Sequence, residues 1–527
     1  MLKLKTLCGV AIILLLAASC DHGLNNYNKE SSSIPRPEQI ASGDSEKAIS
    51  KTEKNNTEDY DHIVDNPFLT AAQDPLSTFS IDVDPAAYSN IRRFINNGTM
   101  PPNGAVRIEE MVNYFDYHYT PPTNEDPFAV HTEIAACPWN NKHLLVQVGL
   151  KGKEIATTAL PPANLVFLVD VSGSMDEPNK LPLVKASLKL LTGKLRAQDK
   201  VAIVVYAGAA GLVLPSTNGD EKKKIIEAIE GLGAGGSTAG AEGIKLAYQT
   251  AKANFIAKGN NRVILATDGD FNVGVSSDDE LVTLIEAERK SNIFLTVLGY
   301  GMGNYKDNKM QQLADKGNGN HAYIDNINEA KKVLVKEFGS TLFTIAKDVK
   351  IQVEFNPAKV AAYRLIGYEN RLLQKEDFNN DAKDAGELGA GHTVTALYEI
   401  IPAGIKDQFI NSTDPLKYQA PKVVAENLTN EIMTVKLRYK EPTTEVSKLM
   451  VHTVTADNII TGAVSENFNL AAAVAAFGML LRNSDYKQEA SYEKVIAWAK
   501  TAKGNDEDGY RQEFINLVEM AEGLDKK

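Results

Sequence analysis

The sequence predicts an α/β fold, a mostly parallel sheet with helices on both faces, set between all-β segments and closed by a helical end. Three observations carry this. Leu165–Val169 is an unbroken apolar run, as expected of a strand buried on both faces. Between residues 161 and 346 short apolar runs of strand length alternate with longer helical stretches. On either side, at 127–155 and 347–456, strand runs follow one another without intervening helices.

In the central part, strands are expected at Leu165–Val169, Val201–Tyr206, Gly211–Leu214, Val263–Ala266, Ile293–Leu298 and His321–Ile324. Helices are expected at Leu183–Leu195, Glu221–Glu230, Ala239–Ile256, Asp279–Lys290, Asp307–Asp315 and Glu329–Leu342. Upstream, Phe79–Asp84 alternates like a strand, and Tyr88–Ile95 reads as a helix stopped by Asn96-Asn97-Gly98. A second helix at Ile108–Phe115 precedes strands at Phe128–Ala135 and Leu144–Leu150. Downstream come strands at Val349–Phe355, Ala361–Ile366, Thr393–Ile400, Ile432–Tyr439 and Leu449–Val454, with Asp381–Gly391 read as a solvated loop. The end is helical, at Asn469–Leu481, Tyr492–Thr501 and Tyr510–Glu522. The apolar run inside the first of these is too short to span a bilayer, so it reads as a buried core helix. Open strand edges invite aggregation, so the two flanking β segments are expected to pair into one sandwich with the α/β domain inserted.

With 43% hydrophobic and 24% charged residues, the 527-residue chain is globular in composition and large enough for several domains. Its net charge of −12 disfavours a nucleic-acid partner, which needs clustered Lys and Arg. Three cysteines exclude a disulfide framework, and Cys137 reads as a small core residue. Lys3, Lys5 and the apolar run to Ala18 form a signal peptide over residues 1–19. Ala17-Ala18-Ser19-Cys20 resembles the cleavage box of bacterial lipoproteins, which makes Cys20 the lipidated first residue of the mature chain. Loss of the signal removes only two lysines and takes the charge to −14. Residues 20–75 are poor in large apolar side chains and read as a disordered tether. The remaining divisions are an α+β region at 76–160, the α/β domain at 161–346, a β region at 347–466 and a helical region at 467–527.

The chemistry concentrates directly after Leu165–Val169, in Asp170-Val171-Ser172-Gly173-Ser174. Ligands of open α/β sheets gather at the carboxyl ends of the strands. A carboxylate and two hydroxyls at alternate positions on a Gly-containing turn offer three hard oxygens to one point. The loop Gly235-Gly236-Ser237-Thr238 adds the Thr238 hydroxyl, and Thr267-Asp268-Gly269 brings a second carboxylate to the same edge. An oxygen-only set without His or Cys favours Mg²⁺ or Mn²⁺.

These residues resemble the metal-ion-dependent adhesion site of von Willebrand factor A (VWA) domains. The pattern is Asp-x-Ser-x-Ser, a loop Thr, and an Asp after a later strand. The resemblance implies a metal centre at Asp170, Ser172, Ser174, Thr238 and Asp268, with Mg²⁺ (or Mn²⁺/Ca²⁺) as cofactor. It also implies a protein ligand presenting Glu or Asp to the cation. Phe79–Asp84, Tyr88–Arg93, Pro101-Pro102, Val106–Phe115 and Thr267–Asn272 further resemble bacterial YfbK-like A-domain lipoproteins, over nearly everything after Thr78. Their Arg, Glu and Tyr residues read as bridges between domains.

Gly231-Leu-Gly-Ala-Gly-Gly236 matches a dinucleotide fingerprint by letter but follows a helix where that motif needs a strand, so no nucleotide is expected. His131, His143, His321, His392 and His452 show no metal-ligand spacing. No Ser/His/Asp or Cys/His set converges, so the chain reads as a non-enzyme. The expectation is a cell-envelope protein, lipid-anchored on the periplasmic or surface side, that docks a protein through its cation. A metal-independent scaffold and a metal-assisted hydrolase are the alternatives.

Overall fold

The computed structural model describes residues 58–156, 159–237, 240–269, 278–337, 343–410 and 430–526. The expected signal peptide, Cys20, most of the tether and Thr238 lie outside the described residues. In chain order, β1 (Leu69–Thr70) and β2 (Leu76–Ser80) precede α1 (Ala86–Asn96) and α2 (Ile108–Asn113), and the hairpin β3 (Phe128–Cys137) and β4 (Asn140–Gly152) follows. The alternating part runs β5 (Ala163–Asp170), α3 (Leu181–Lys194), β6 (Lys200–Tyr206), β7 (Ala210–Asn218), α4 (Lys222–Glu230) and α5 (Gly240–Ala253). It continues through β8 (Asn260–Thr267), α6 (Asp278–Arg289), β9 (Ile293–Tyr300), α7 (Asp307–Lys316), β10 (His321–Ile324) and α8 (Ile327–Lys331). Next come β11 (Thr344–Phe355), β12 (Val360–Ile366), β13 (Gly386–Gly389), β14 (Thr393–Pro402), β15 (Glu431–Lys440), β16 (Ser447–Thr455) and β17 (Ile459–Ile460). Helices α9 (Glu466–Leu481), α10 (Tyr492–Thr501) and α11 (Tyr510–Asp525) end the chain.

The central sheet has the order β10-β9-β8-β5-β6-β7 and is parallel except for β7, which returns antiparallel to β6. The unbroken apolar run of β5 is explained by its two faces. Leu165, Phe167 and Val169 enter one buried cluster, while Val166 and Leu168 enter the other. The flanking segments form a sandwich across the insertion. One sheet runs β1-β12-β14-β4-β3-β17, so β4 from before the α/β domain pairs with β14 from after it, Leu144 to Lys151 against Ile400 to Thr393. The facing sheet runs β13-β11-β15-β16, with β2 also on β11. Phe79, Val148, Ile351, Val353, Tyr398 and Leu437 are buried between the two sheets.

A helical layer closes the molecule. Ser465 and Ser491 side chains accept the Phe468 and Lys494 N–H groups and fix the starts of α9 and α10. Leu470–Met479 is buried throughout among α1, α2, α10 and α11, which is why it can be apolar on every side. Among the described residues no helix is long and apolar enough to cross a membrane.

Three expectations are corrected. Residues 58–75, assigned to the tether, are held by the body: Phe68 and Ala71 are buried, and β1 pairs with β12. Polar contacts do much of this, with Glu58 on Arg93 and the Asn66 side chain donating to the Leu365 and Gly367 carbonyls, so counting apolar residues misses it. Within the loop expected at Asp381–Gly391, β13 pairs with β11 and buries Leu388. The helix expected at Glu329–Leu342 starts at Ile327 as α8 and turns π-helical over Lys332–Lys336.

Candidate metal centre

Asp170 ends β5, and Asp268 follows the end of its parallel neighbour β8, where Val169 lies level with Ala266. Register alone therefore carries both carboxylates to one edge. Asp170 is fully buried, and each of its oxygens is committed. The Ser172 N–H donates to Oδ1 at 2.9 Å, while the Tyr206 and Thr267 hydroxyls donate to Oδ2, each at 3.1 Å. These bonds fix the carboxylate plane. Burial pushes the Asp170 pKa up and Asp268 adds to this, against the opposing bonds from Ser172 and Tyr206.

The turn after Asp170 brings the Ser172 and Ser174 hydroxyls to 3.1 Å from one another. The second loop is tied to this turn by backbone. The Gly173 N–H donates to Gly236 O, and the Gly235 N–H to Val171 O, at 3.1 and 2.8 Å. Gly236 adopts a φ of 84°, which favours glycine, and a Cβ on it would lie 3.2 Å from the Gly208 nitrogen in the connection between β6 and β7. Thr238, two residues further, is outside the described residues.

Two residues that the sequence did not signal complete the edge. Lys180, at the start of α3, donates from Nζ to Asp268 Oδ2 at 2.9 Å, and the Asn304 side-chain amide donates to the same oxygen at 3.1 Å. Lys180 and Asp268 are both buried. The Lys180 stem passes over Gly301, where φ is 78° and a Cβ would come within 2.5 Å of Cε. A lone lysine ten positions after Asp170 carries no pattern; only the pairing of β5 with β8 reveals it.

Among the described residues no group of three or more His, Cys, Asp or Glu side chains could hold a metal. A cation at this edge would therefore draw on hydroxyl oxygens as well as carboxylates. Asp170, Ser172, Ser174 and Asp268 supply that mixture, all hard oxygen, and the donor set fits Mg²⁺ or Mn²⁺. Of the histidines set aside, His143 is buried against Glu399 and Asp407, and His321 is buried against Tyr305.

The sequence model described as von Willebrand factor type A domain matches residues 164–336. One described as von Willebrand factor matches 54–147, and one described as Uncharacterized protein YfbK, C-terminal, matches 340–524. The chain is 46% identical over 474 residues to Uncharacterized protein YfbK of Escherichia coli (strain K12), covering 88% of this chain and 81% of that protein. It is 28% identical over 200 residues to Uncharacterized protein sll0103 of Synechocystis, covering 37% of this chain and 45% of that one. Among solved structures, a von Willebrand factor type A protein from Catenulispora acidiphila covers 75% of this chain and 92% of its own at 17% identity and a TM-score of 0.41. Domains of this type generally mediate protein–protein contacts and often bind a divalent metal. With the YfbK relative matched over most of both chains and the A-domain model over the central sheet, the protein belongs to the bacterial YfbK family of VWA-domain proteins.

Proposed function

We propose that the protein is a lipid-anchored envelope protein that docks a protein partner through a divalent cation at Asp170, Ser172, Ser174, Thr238 and Asp268. The observation carrying this reading is that a fully buried carboxylate, Asp170, is met by hydroxyls and a backbone N–H. A bound Mg²⁺ or Mn²⁺ would supply an electrophilic point able to take a Glu or Asp side chain of the partner. Ser172 and Ser174 offer oxygens from the turn, and Tyr206 and Thr267 hold Asp170 in place. No nucleophile or proton carrier is needed, so the role is binding and not catalysis. Lipid on Cys20 would put the body at a membrane surface of the cell envelope, facing periplasm or exterior.

Capture of partners from envelope extracts tests this reading. Partners should be retained in Mg²⁺, released by EDTA, and lost with Asp170→Ala. Partners that stay bound in EDTA support the metal-independent scaffold instead.

A further inference from the structure

At the candidate metal edge, the two carboxylates are treated differently. Among the described residues Asp170 receives neutral donors only, whereas Asp268 Oδ2 receives the Lys180 ammonium at 2.9 Å and the Asn304 amide at 3.1 Å. Lys180 is built in rather than adventitious. Its side chain is 5% exposed, its Nζ also lies 3.5 Å from Asn304 Oδ1, and its stem occupies the space that glycine leaves at 301. Burying an ammonium costs several kcal/mol unless it is well paired, so its place beside a metal-site carboxylate calls for a reason.

We propose that Lys180 is the resident counter-ion of this site, a residue that positions Asp268 and sets how much positive charge the loaded site presents. This rests on the metal reading given above. Two carboxylates neutralise a divalent cation, leaving nothing to attract an acidic ligand. Lys180 restores one positive charge and turns Oδ2 of Asp268 towards itself. Its cost is affinity for the cation, because like charges at short range in a buried site repel. The site is thereby poised for weak cation binding and strong attraction to a partner carboxylate, in a chain whose overall charge of −12 repels acidic groups.

The test is titration of the full chain with Mn²⁺ alone, followed by calorimetry, for wild type, Lys180→Met and Lys180→Gln. Met retains the stem against Gly301, and Gln also retains a donor for Asp268, so the second variant carries the test should the first fail to fold. Each variant is expected to bind Mn²⁺ about tenfold more tightly than wild type, and to gain more in melting temperature on Mn²⁺ addition. A merely structural ion pair would lower metal-free stability without tightening Mn²⁺. Wild-type binding with equal or weaker binding in the folded variants overturns the role of Lys180 and leaves the metal site standing. No Mn²⁺ binding in any form, wild type included, overturns both.

Discussion

The joints between the layers and Asp170 at the carboxyl edge of the central sheet differ in how their carboxylates are satisfied. At the joints each named carboxylate meets a guanidinium. Arg92 of α1 reaches Asp325 and Glu329 of the α/β domain and Glu513 of α11, with the Tyr114 hydroxyl donating to Glu329 as well. Arg107 binds Glu110 and Asp307, and Arg371 binds Asp82 and Asp315. The Arg fork, rigid and permanently charged, suits a contact meant to stay closed. At the sheet edge Asp170 meets only neutral donors among the described residues. A buried carboxylate that meets no cationic side chain among the described residues is the kind of group to which the proposed cation would bind. Charge pairing thus separates the joints from Asp170, while Asp268 beside it is paired with the Lys180 ammonium.

The sharpest way to break this comparison is at a joint. Arg92→Ala leaves Asp325 and Glu329 buried without their cation, and removal of one partner of a buried pair costs about 3–5 kcal/mol. Urea denaturation should show that loss, together with loosening of α1 from the α/β domain. A change of under about 1 kcal/mol, the scale of an exposed pair, would mean that the joint is no lock.

A smaller, pH-dependent effect is expected at His143, a titratable cation within one sheet of the sandwich, on β4 beside β14. Burial lowers its pKa, but bonds to Glu399 and Asp407 and their charges outweigh this, so the folded value stands above the ordinary 6.5. A raised folded pKa contributes stability that is full below 6.5 and is lost as pH rises through the folded value. The stability difference between wild type and His143→Gln should therefore be larger at pH about 5.5 than at pH about 9. A difference that grew with pH would reverse the assignment.

The same contrast explains what the sequence disclosed. Asp170, Ser172 and Ser174 were legible because they follow an apolar strand without interruption, and Asp268 because it follows another such strand. The sandwich was legible from alternation, as in Val349–Phe355 of β11. Lys180 and Asn304 were not, since their relation to Asp268 exists only after β5, β8 and β9 are side by side. Residues 58–75 escaped for a related reason. Their attachment depends on single polar anchors, Glu58 and Asn66, whose partners lie far away in sequence. The 386–389 strand was hidden by its glycines, one of which lies so close to Asp82 that a Cβ would come within 2.4 Å of its nitrogen.

The central claim, that Asp170 is a ligand of a divalent cation at this edge, is tested most directly by calorimetric titration of Mn²⁺ into wild type and Asp170→Ala. Mn²⁺ should bind wild type at one site, and the variant should keep its fold, as followed by circular dichroism, while losing that site. Equal Mn²⁺ affinity in wild type and a folded Asp170→Ala would contradict the account.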